Sequence, residues 1–165
     1  MNFRDATIDD LQTIVDIYNS TIPSRIVTAD LITVTVDSKL DWFNEHNPIT
    51  RPLWVVENKD AHIIGWISFQ DFYGRPAYNE TAEISIYIDE NFRGNGYGKQ
   101  MLSYAVKQCH LLKINNLLGF IFEQNFISIN LFKSMGFIEC GHLESVAKLE
   151  DKKCNLKIMQ LKIEF

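Results

Sequence analysis

Cysteine is scarce in this sequence. Its three copies among 165 residues, Cys109, Cys140 and Cys154, are an odd number with no C-x-x-C spacing. Such a set offers neither a disulfide framework nor a zinc site and reads as reduced cytoplasmic thiols. Long hydrophobic runs are missing too: the longest apolar stretches, 53–56 and 63–67, are strand-sized and far short of a membrane span. The first ten residues contain Asp5, Asp9 and Asp10 and no apolar segment, which is unlike a signal peptide. Lys and Arg total 16 against 21 acidic residues, for a net charge of -5 with no basic cluster, so nucleic acid is an unpromising partner. That charge leaves room for a small anionic cofactor, because backbone amides bind one locally. His46, His62, His110 and His142 show no paired metal-ligand spacing, so no metal is expected.

A hydrophobic content of 46% with 22% charged residues is ordinary for a folded protein. No repeat and no Pro/Gly/Ser-rich linker divides the chain, which reads as one domain over 1–165. Residues 2–6 suit a short strand. Thr7 caps a first helix with an apolar stripe at Leu11, Ile14, Val15, Ile17 and Tyr18. Residues 20–36 lack a regular pattern, and a second helix is expected from Asp37 or Ser38 to before Pro48. Strands follow at 53–57, 63–72 and 82–89. In the last of these, Ile84, Ile86 and Ile88 alternate with Glu83, Ser85 and Tyr87, so one face packs and the other is polar. A glycine-rich turn, a long helix, a buried strand at 117–122, a short helix at 126–135 and closing antiparallel strands at 137–143 and 156–165 complete a mixed α/β order.

The turn reads Arg93-Gly94-Asn95-Gly96-Tyr97-Gly98-Lys99 between a strand and an amphipathic helix. Glycines at alternate positions let a ligand approach the backbone closely, and exposed N–H groups at a helix start suit a pyrophosphate. A P-loop is excluded because Gln100 follows Gly98-Lys99. The G-x-G-x-G spacing is also not the G-x-G-x-x-G of a dinucleotide fold. Taken alone, the turn is equally consistent with a loop that binds nothing.

The string Arg93 to Gly98 fills the R/Q-x-x-G-x-G/A pattern of the GCN5-related N-acetyltransferases. The segment 125–137, N-F-I-S-I-N-L-F-K-S-M-G-F, resembles that family's second signature. Ile17-Tyr18-Asn19, Asp41-Trp42-Phe43, Arg75-Pro76-Ala77-Tyr78 and Thr81-Ala82-Glu83 look like the phosphinothricin/methionine sulfoximine acetyltransferase branch. The resemblance covers nearly the whole chain. It implies a mostly antiparallel sheet of about seven strands with about four helices, splayed in the middle to hold acetyl-CoA. It further implies transfer of acetyl to the α-amine of a small amino acid or analogue, in a cytoplasmic homodimer with no membrane or nucleic-acid partner.

Carried over residue by residue, the resemblance makes Glu83 the base. Without it, a strand Glu reads as a surface or salt-bridged side chain. The amides of Arg93, Gly94, Asn95, Gly96, Tyr97, Gly98 and Lys99 would hold the cofactor. Backbone groups of Tyr87 and Ile88 would pair with the pantetheine arm, and one of their N–H groups would stabilise the oxyanion. Asn125 would bond the pantetheine, with Asn130 and Lys133 near the nucleotide. Arg75 and Tyr78 would read the substrate's carboxylate, although Gly74-Arg75-Pro76 is also a plausible solvated turn. Trp42, Phe43, Trp66 and Tyr73 are pocket or core. Two departures stand out. Phe132 occupies the position of the general-acid Tyr found in many relatives. Lys153 and Asn155 replace a Trp and an Asp that shape the acceptor pocket in close relatives. Other readings are an acetyltransferase for a polyamine, aminoglycoside or protein N-terminus, and a CoA-binding sensor without turnover.

Overall fold

In β4 (Thr81–Ile88) the two-residue period divides the protein into layers. Ile84, Ile86 and Ile88 pack on one face of the sheet with Met101, Leu102 and Ala105 of α3 (Tyr97–Gln108) and Phe132 of α4 (Phe126–Ser134). The opposite face carries a second cluster. Leu53, Val55 and Trp66 meet Ile14 and Ile17 of α1 (Leu11–Asn19), with Trp42 of α2 (Val36–Asn44) and Tyr87 against them. Helices thus cover both faces of the sheet. The computed structural model describes residues 1–164.

The other strands are β1 (Asn2–Asp5), β2 (Leu53–Glu57), β3 (Ile63–Asp71), β5 (Asn116–Phe122), β6 (Ile138–Leu149) and β7 (Lys152–Lys162). Their order in the sheet is β1-β2-β3-β4-β5-β7-β6, and every neighbouring pair is antiparallel except β4 with β5. That parallel pair is joined through α3, as a parallel connection requires. It is also short: Thr81, Ala82 and Glu83 pair with Asn116, Leu117 and Leu118, and there the pairing stops. Beyond it β4 continues to Ile88 and β5 to Phe122, still paired on their outer sides to β3 and β7. The middle of the sheet therefore opens into a wedge.

Local chemistry explains the helix starts. Asp10 closes the turn before α1 by accepting from the Thr7 N–H (2.7 Å) and hydroxyl (3.0 Å), and it also pairs with Arg4 (2.7 Å). Helix α2 begins one to two residues earlier than the sequence suggested, because Thr35 and Ser38 form a capping box. The Ser38 N–H donates to Thr35 Oγ1 at 3.2 Å, and the Thr35 N–H donates to Ser38 Oγ at 3.1 Å. Segment 20–35 is largely irregular, as expected, yet it is tied to α1. Asn19 brackets Val34 with two 2.9 Å bonds, and the Tyr18 hydroxyl bonds Thr28 and Asp30.

The closing hairpin differs most from expectation. Strand β6 runs on to Leu149, and β7 begins at Lys152. A bulge between Leu143 and Ala147 breaks the alternation, with Ser145 at φ 52°. Asn155 holds that bulge: its Oδ1 accepts from the Ser145 N–H (2.8 Å), and its Nδ2 donates to Glu123 Oε2 (2.7 Å). Phe165, the last residue of the expected closing strand, lies outside the described residues.

Candidate active site

A cavity of about 290 Å³ lies between α1, α2 and the polar face of β3 and β4. Its floor carries Glu83, Ser85 and Tyr87 with Ser68 and Gln70 of β3, and its roof carries Tyr18, Val34, Lys39 and Trp42. The Glu83 side chain makes no hydrogen bond or ion pair with any described residue, and burial pushes its carboxyl above the ordinary carboxylate range. It is the one carboxylate in the cavity lining among the described residues. Tyr87 stacks on Trp66 with ring centroids 4.4 Å apart and meets Tyr18 at 5.1 Å. Burial and the nearby acids push its hydroxyl far above the usual phenol value, so it stays protonated. Tyr18 is raised to about 12 by burial and by its bond to Asp30. The wall is stiff: Trp66 also donates its indole N–H to the Ile14 carbonyl at 3.1 Å.

The wedge lies along the free edge of β4. The Asp89 N–H donates to the Ile64 carbonyl at 3.0 Å. In the same ladder Tyr87 pairs with Trp66, so its backbone also faces β3. Alternation then turns the N–H and C=O groups of Ile86 and Ile88 toward the wedge. Of the two β4 residues expected to present their backbone there, Ile88 does and Tyr87 does not. Ile86, which was not singled out, takes its place. Arg93 reaches into this region, its Nε–H donating to the Ile88 carbonyl (2.9 Å) and its Nη2–H to Ser20 Oγ (3.1 Å).

Next to the wedge, Gly94 and Gly96 have φ of +79° and +75°, and a Cβ on either would meet no atom within 4 Å. They form an open backbone cradle at the start of α3, where the N–H groups of Tyr97, Gly98 and Lys99 lack helical partners. Asn95 braces the turn by donating to the Phe92 and Arg93 carbonyls (3.1 and 3.2 Å). Gly98 is closely packed: a Cβ there would lie 3.2 Å from the Leu131 side chain of α4. Across the wedge, the buried Asn125 caps α4 by accepting from the Ser128 N–H at 3.1 Å. Asn130 and Lys133 are exposed on α4. A splayed strand pair, two wedge-facing amides and a glycine cradle at a helix start suit a long, thin ligand with an anionic group.

Residues 12–137 match the family model for the acetyltransferase (GNAT) family. The chain belongs to the GNAT acetyltransferase family. A Bacillus subtilis protein named "Putative phosphinothricin acetyltransferase YwnH" is 46% identical over 96% of this chain and 97% of its own length. An L-methionine sulfoximine/L-methionine sulfone acetyltransferase of Pseudomonas paraeruginosa is 24% identical over 99% of this chain and 95% of its own. The crystal structure of a GNAT superfamily phosphinothricin acetyltransferase from Sinorhizobium meliloti in complex with AcCoA has a TM-score of 0.91. It is 25% identical and covers 98% of this chain and 88% of that one. The GNAT fold accounts for the wedge, and the family makes the chain an N-acetyltransferase.

Within this GNAT fold the residues singled out in the sequence separate into groups. Glu83 and the Tyr87 ring share the cavity, and the glycine turn, Ile88 and Asn125 surround the wedge. Arg75 and Tyr78 do not line the cavity. They stand exposed on the β3–β4 loop, Tyr78 within an aromatic cluster with Phe72 and Tyr73. Trp42 and Trp66 line the cavity, whereas Phe43 and Tyr73 do not. Phe132 is a core residue, packed edge-on to Phe137 (4.7 Å) and against Gly119. Lys153 is exposed near the tip of the closing hairpin, and Asn155 serves the β6 bulge described above. Sequence reasoning passed over Lys39, Ser68 and Gln70, and gave Ser85 only a place on the polar face of its strand. Ser68 and Gln70 carried a signal: they are polar at alternate positions, flanking Phe69, on the face that Trp66 shares.

Proposed function

We propose that this protein transfers the acetyl group of acetyl-CoA to the α-amine of a small amino acid or analogue, in the cytoplasm and as a homodimer. The observation that carries the reading is Glu83, a half-buried carboxylate whose side chain has no partner among the described residues, on the floor of the cavity and on the same strand whose free edge borders the wedge. A cavity of about 290 Å³ has room for an acceptor of amino-acid size. The names of the relatives point to the same acceptor class.

The residues fit acetyl-CoA. The Ile86 and Ile88 backbones would bond a pantetheine arm as a strand would, Asn125 would lie beside it, and the amides from Arg93 to Lys99 would hold a pyrophosphate. When bound, acetyl-CoA supplies an activated acetyl thioester. An α-amine is mostly protonated at pH 7 and must lose its proton before it can attack. Glu83 accepts that proton, directly or through one water, and its raised pKa brings it closer to the operating pH than an ordinary carboxylate would be. The wedge-facing N–H of Ile86 or Ile88 donates to the oxygen on which charge develops. Phe132 has no proton to give, so no side chain at its position protonates the departing thiolate, whose own pKa near 8.5 makes it a tolerable leaving group.

The test is thiol release from acetyl-CoA by the purified protein with methionine sulfoximine, methionine sulfone, phosphinothricin, spermidine and a peptide. Release with the first three supports the proposal. Release only with spermidine or peptide rejects the acceptor class and keeps acetyl transfer, and binding of acetyl-CoA with no release favours a sensor.

A further inference from the structure

Arg51 is only 6% exposed, and it is the one fully buried Lys or Arg among the described residues. It stands between α2 and β2, in a turn closed by backbone bonds between Asn47 and Arg51 (3.0 and 3.2 Å). The Asn47 side chain tightens that turn by accepting from the Ile49 and Thr50 N–H groups (3.2 and 2.9 Å). From there the guanidinium reaches the ends of two strands. Its Nη2–H groups donate to the Asn79 carbonyl (2.7 Å) and to the Thr81 carbonyl at the start of β4 (3.4 Å). Nη1–H donates to the Thr50 carbonyl (2.8 Å), and Nε forms an ion pair with Asp71 Oδ1 at the end of β3 (2.6 Å). A buried charge is costly unless it is paired and hydrogen-bonded, so the guanidinium and the groups around it hold one another in place.

These contacts fall where the sheet is most easily opened. Gln70 lies opposite Glu83 and Asp71 opposite Ala82, and there the β3–β4 ladder ends. Beyond it the loop 72–80 is largely exposed and turns through two left-handed residues, Tyr73 and Gly74 (φ 63° and 58°). On its other side β4 pairs with β5 over three residues only, the last being Glu83. Ends of ladders fray at low cost. Glu83 is therefore one pair from a free end, and Arg51 ties both strands at that end.

We infer that Arg51 is a positioning residue for Glu83: by tying the end of β3 to the start of β4, it fixes the stretch of strand that sets the Glu83 carboxyl in the acceptor cavity. The inference rests on the assignment of Glu83 as the base and deepens it. Gln70 and Glu83, both in the cavity floor, are the cross-strand pair next to the clamp. A shift of a reacting group by about 1 Å is enough to slow a reaction strongly. The glycine cradle follows the opposite end of β4, so the clamp leaves the binding of acetyl-CoA untouched.

The experiment compares wild type, Arg51→Met, Glu83→Gln and the double variant. Steady-state kinetics use acetyl-CoA and L-methionine sulfone, and amide hydrogen exchange at residues 82–84 reports on the strand without turnover. Arg51→Met should lower kcat about tenfold and leave the KM for acetyl-CoA within about twofold. Exchange at 82–84 should quicken by about tenfold or more, with little change in α3. In the Glu83→Gln background the same substitution should cost less than about twofold in kcat, because the group it positions is already gone. Arg51→Lys, which keeps a charge for Asp71, should fall between wild type and Arg51→Met. Asp71→Asn removes the ion pair at an exposed carboxylate and keeps the carbonyl bonds. It should show the same pattern at about threefold, and it carries the test if Arg51→Met does not fold. An equal loss of kcat with and without Glu83 overturns the inference, and so do unchanged kcat and exchange in a folded Arg51→Met. If Glu83→Gln is as active as wild type, or nothing is acetylated, the base assignment falls and exchange decides alone: quickening at 82–84 upholds the clamp on the Glu83 strand, and unchanged exchange overturns it.

Discussion

Gly119→Ala is a sharp test of the packing behind the wedge. A Cβ at Gly119 in β5 would lie 2.4 Å from Cε1 of Phe132, with Cδ1 and Cζ at 3.0 and 3.2 Å. Carbon atoms pack best about 3.5–4.0 Å apart, so the ring has to retreat by roughly 1 Å. Phe132 is buried and is held edge-on by Phe137 at 4.7 Å, which leaves the ring little room to move. Overpacking of this kind costs about 1–3 kcal/mol. Replacing a strand glycine returns about 0.4–1 kcal/mol by restricting the unfolded chain. The net expectation is destabilisation by about 1–2 kcal/mol, or a Tm lower by roughly 2–8 °C for a chain of this size. Urea and thermal unfolding, followed by circular dichroism, measure it. Phe132→Leu in the same chain should recover part of the loss, with a coupling of about 0.5 kcal/mol or more between the two sites. Additive effects, or no loss at all in Gly119→Ala, would refute the assignment of Phe132 as the residue that requires glycine there.

Gly96→Ala places a side chain at φ +75° and into the open cradle, whereas Gly74→Ala imposes similar strain at φ +58° on the distant β3–β4 loop. Both should lower Tm by a few degrees, at about 1–2 kcal/mol of left-handed strain. In steady-state kinetics only Gly96→Ala should raise the KM for acetyl-CoA, by about tenfold. Asp10 is held down to about 2, first by its hydrogen bond from Arg4, so this group contributes stability above its unfolded value of 3.8 and loses it as pH falls from there through about 2. Arg4→Met should therefore cost about 1–2 kcal/mol in urea unfolding at pH 7, and the difference from wild type should shrink below pH 3.

Local signals in the sequence carried a good part of the fold. The alternation at Ile84, Ile86 and Ile88 marked the strand at the centre of the sheet, and the turn from Arg93 to Gly98 marked the start of α3, because both are written in contiguous residues. The acceptor side was less legible. Lys39 meets Tyr18 and Glu83 in one cavity only through packing of α2 and α1 on β4, and nothing local to Ser38-Lys39-Leu40 distinguishes it from any surface lysine. Tyr87 was assigned a backbone role that β-ladder alternation gives to Ile86 and Ile88, a matter of register that depends on the pairing with β3. The long closing hairpin was cut short in the reading because the bulge at 143–147 interrupts its period and Asn155 repairs it from the opposite strand.

The central claim is that Glu83 takes the proton from the acceptor amine. The measurement that tests it most directly is the pH dependence of kcat/KM for wild type and Glu83→Gln with acetyl-CoA and methionine sulfone. Burial raises the Glu83 pKa, so the wild-type rate should fall as pH drops through a value above that of an ordinary carboxylate, about 4.3. Glu83→Gln should lose about 10²-fold or more in kcat and show no such limb. A variant that stays within about threefold of wild type, with the same acid limb, would contradict the account.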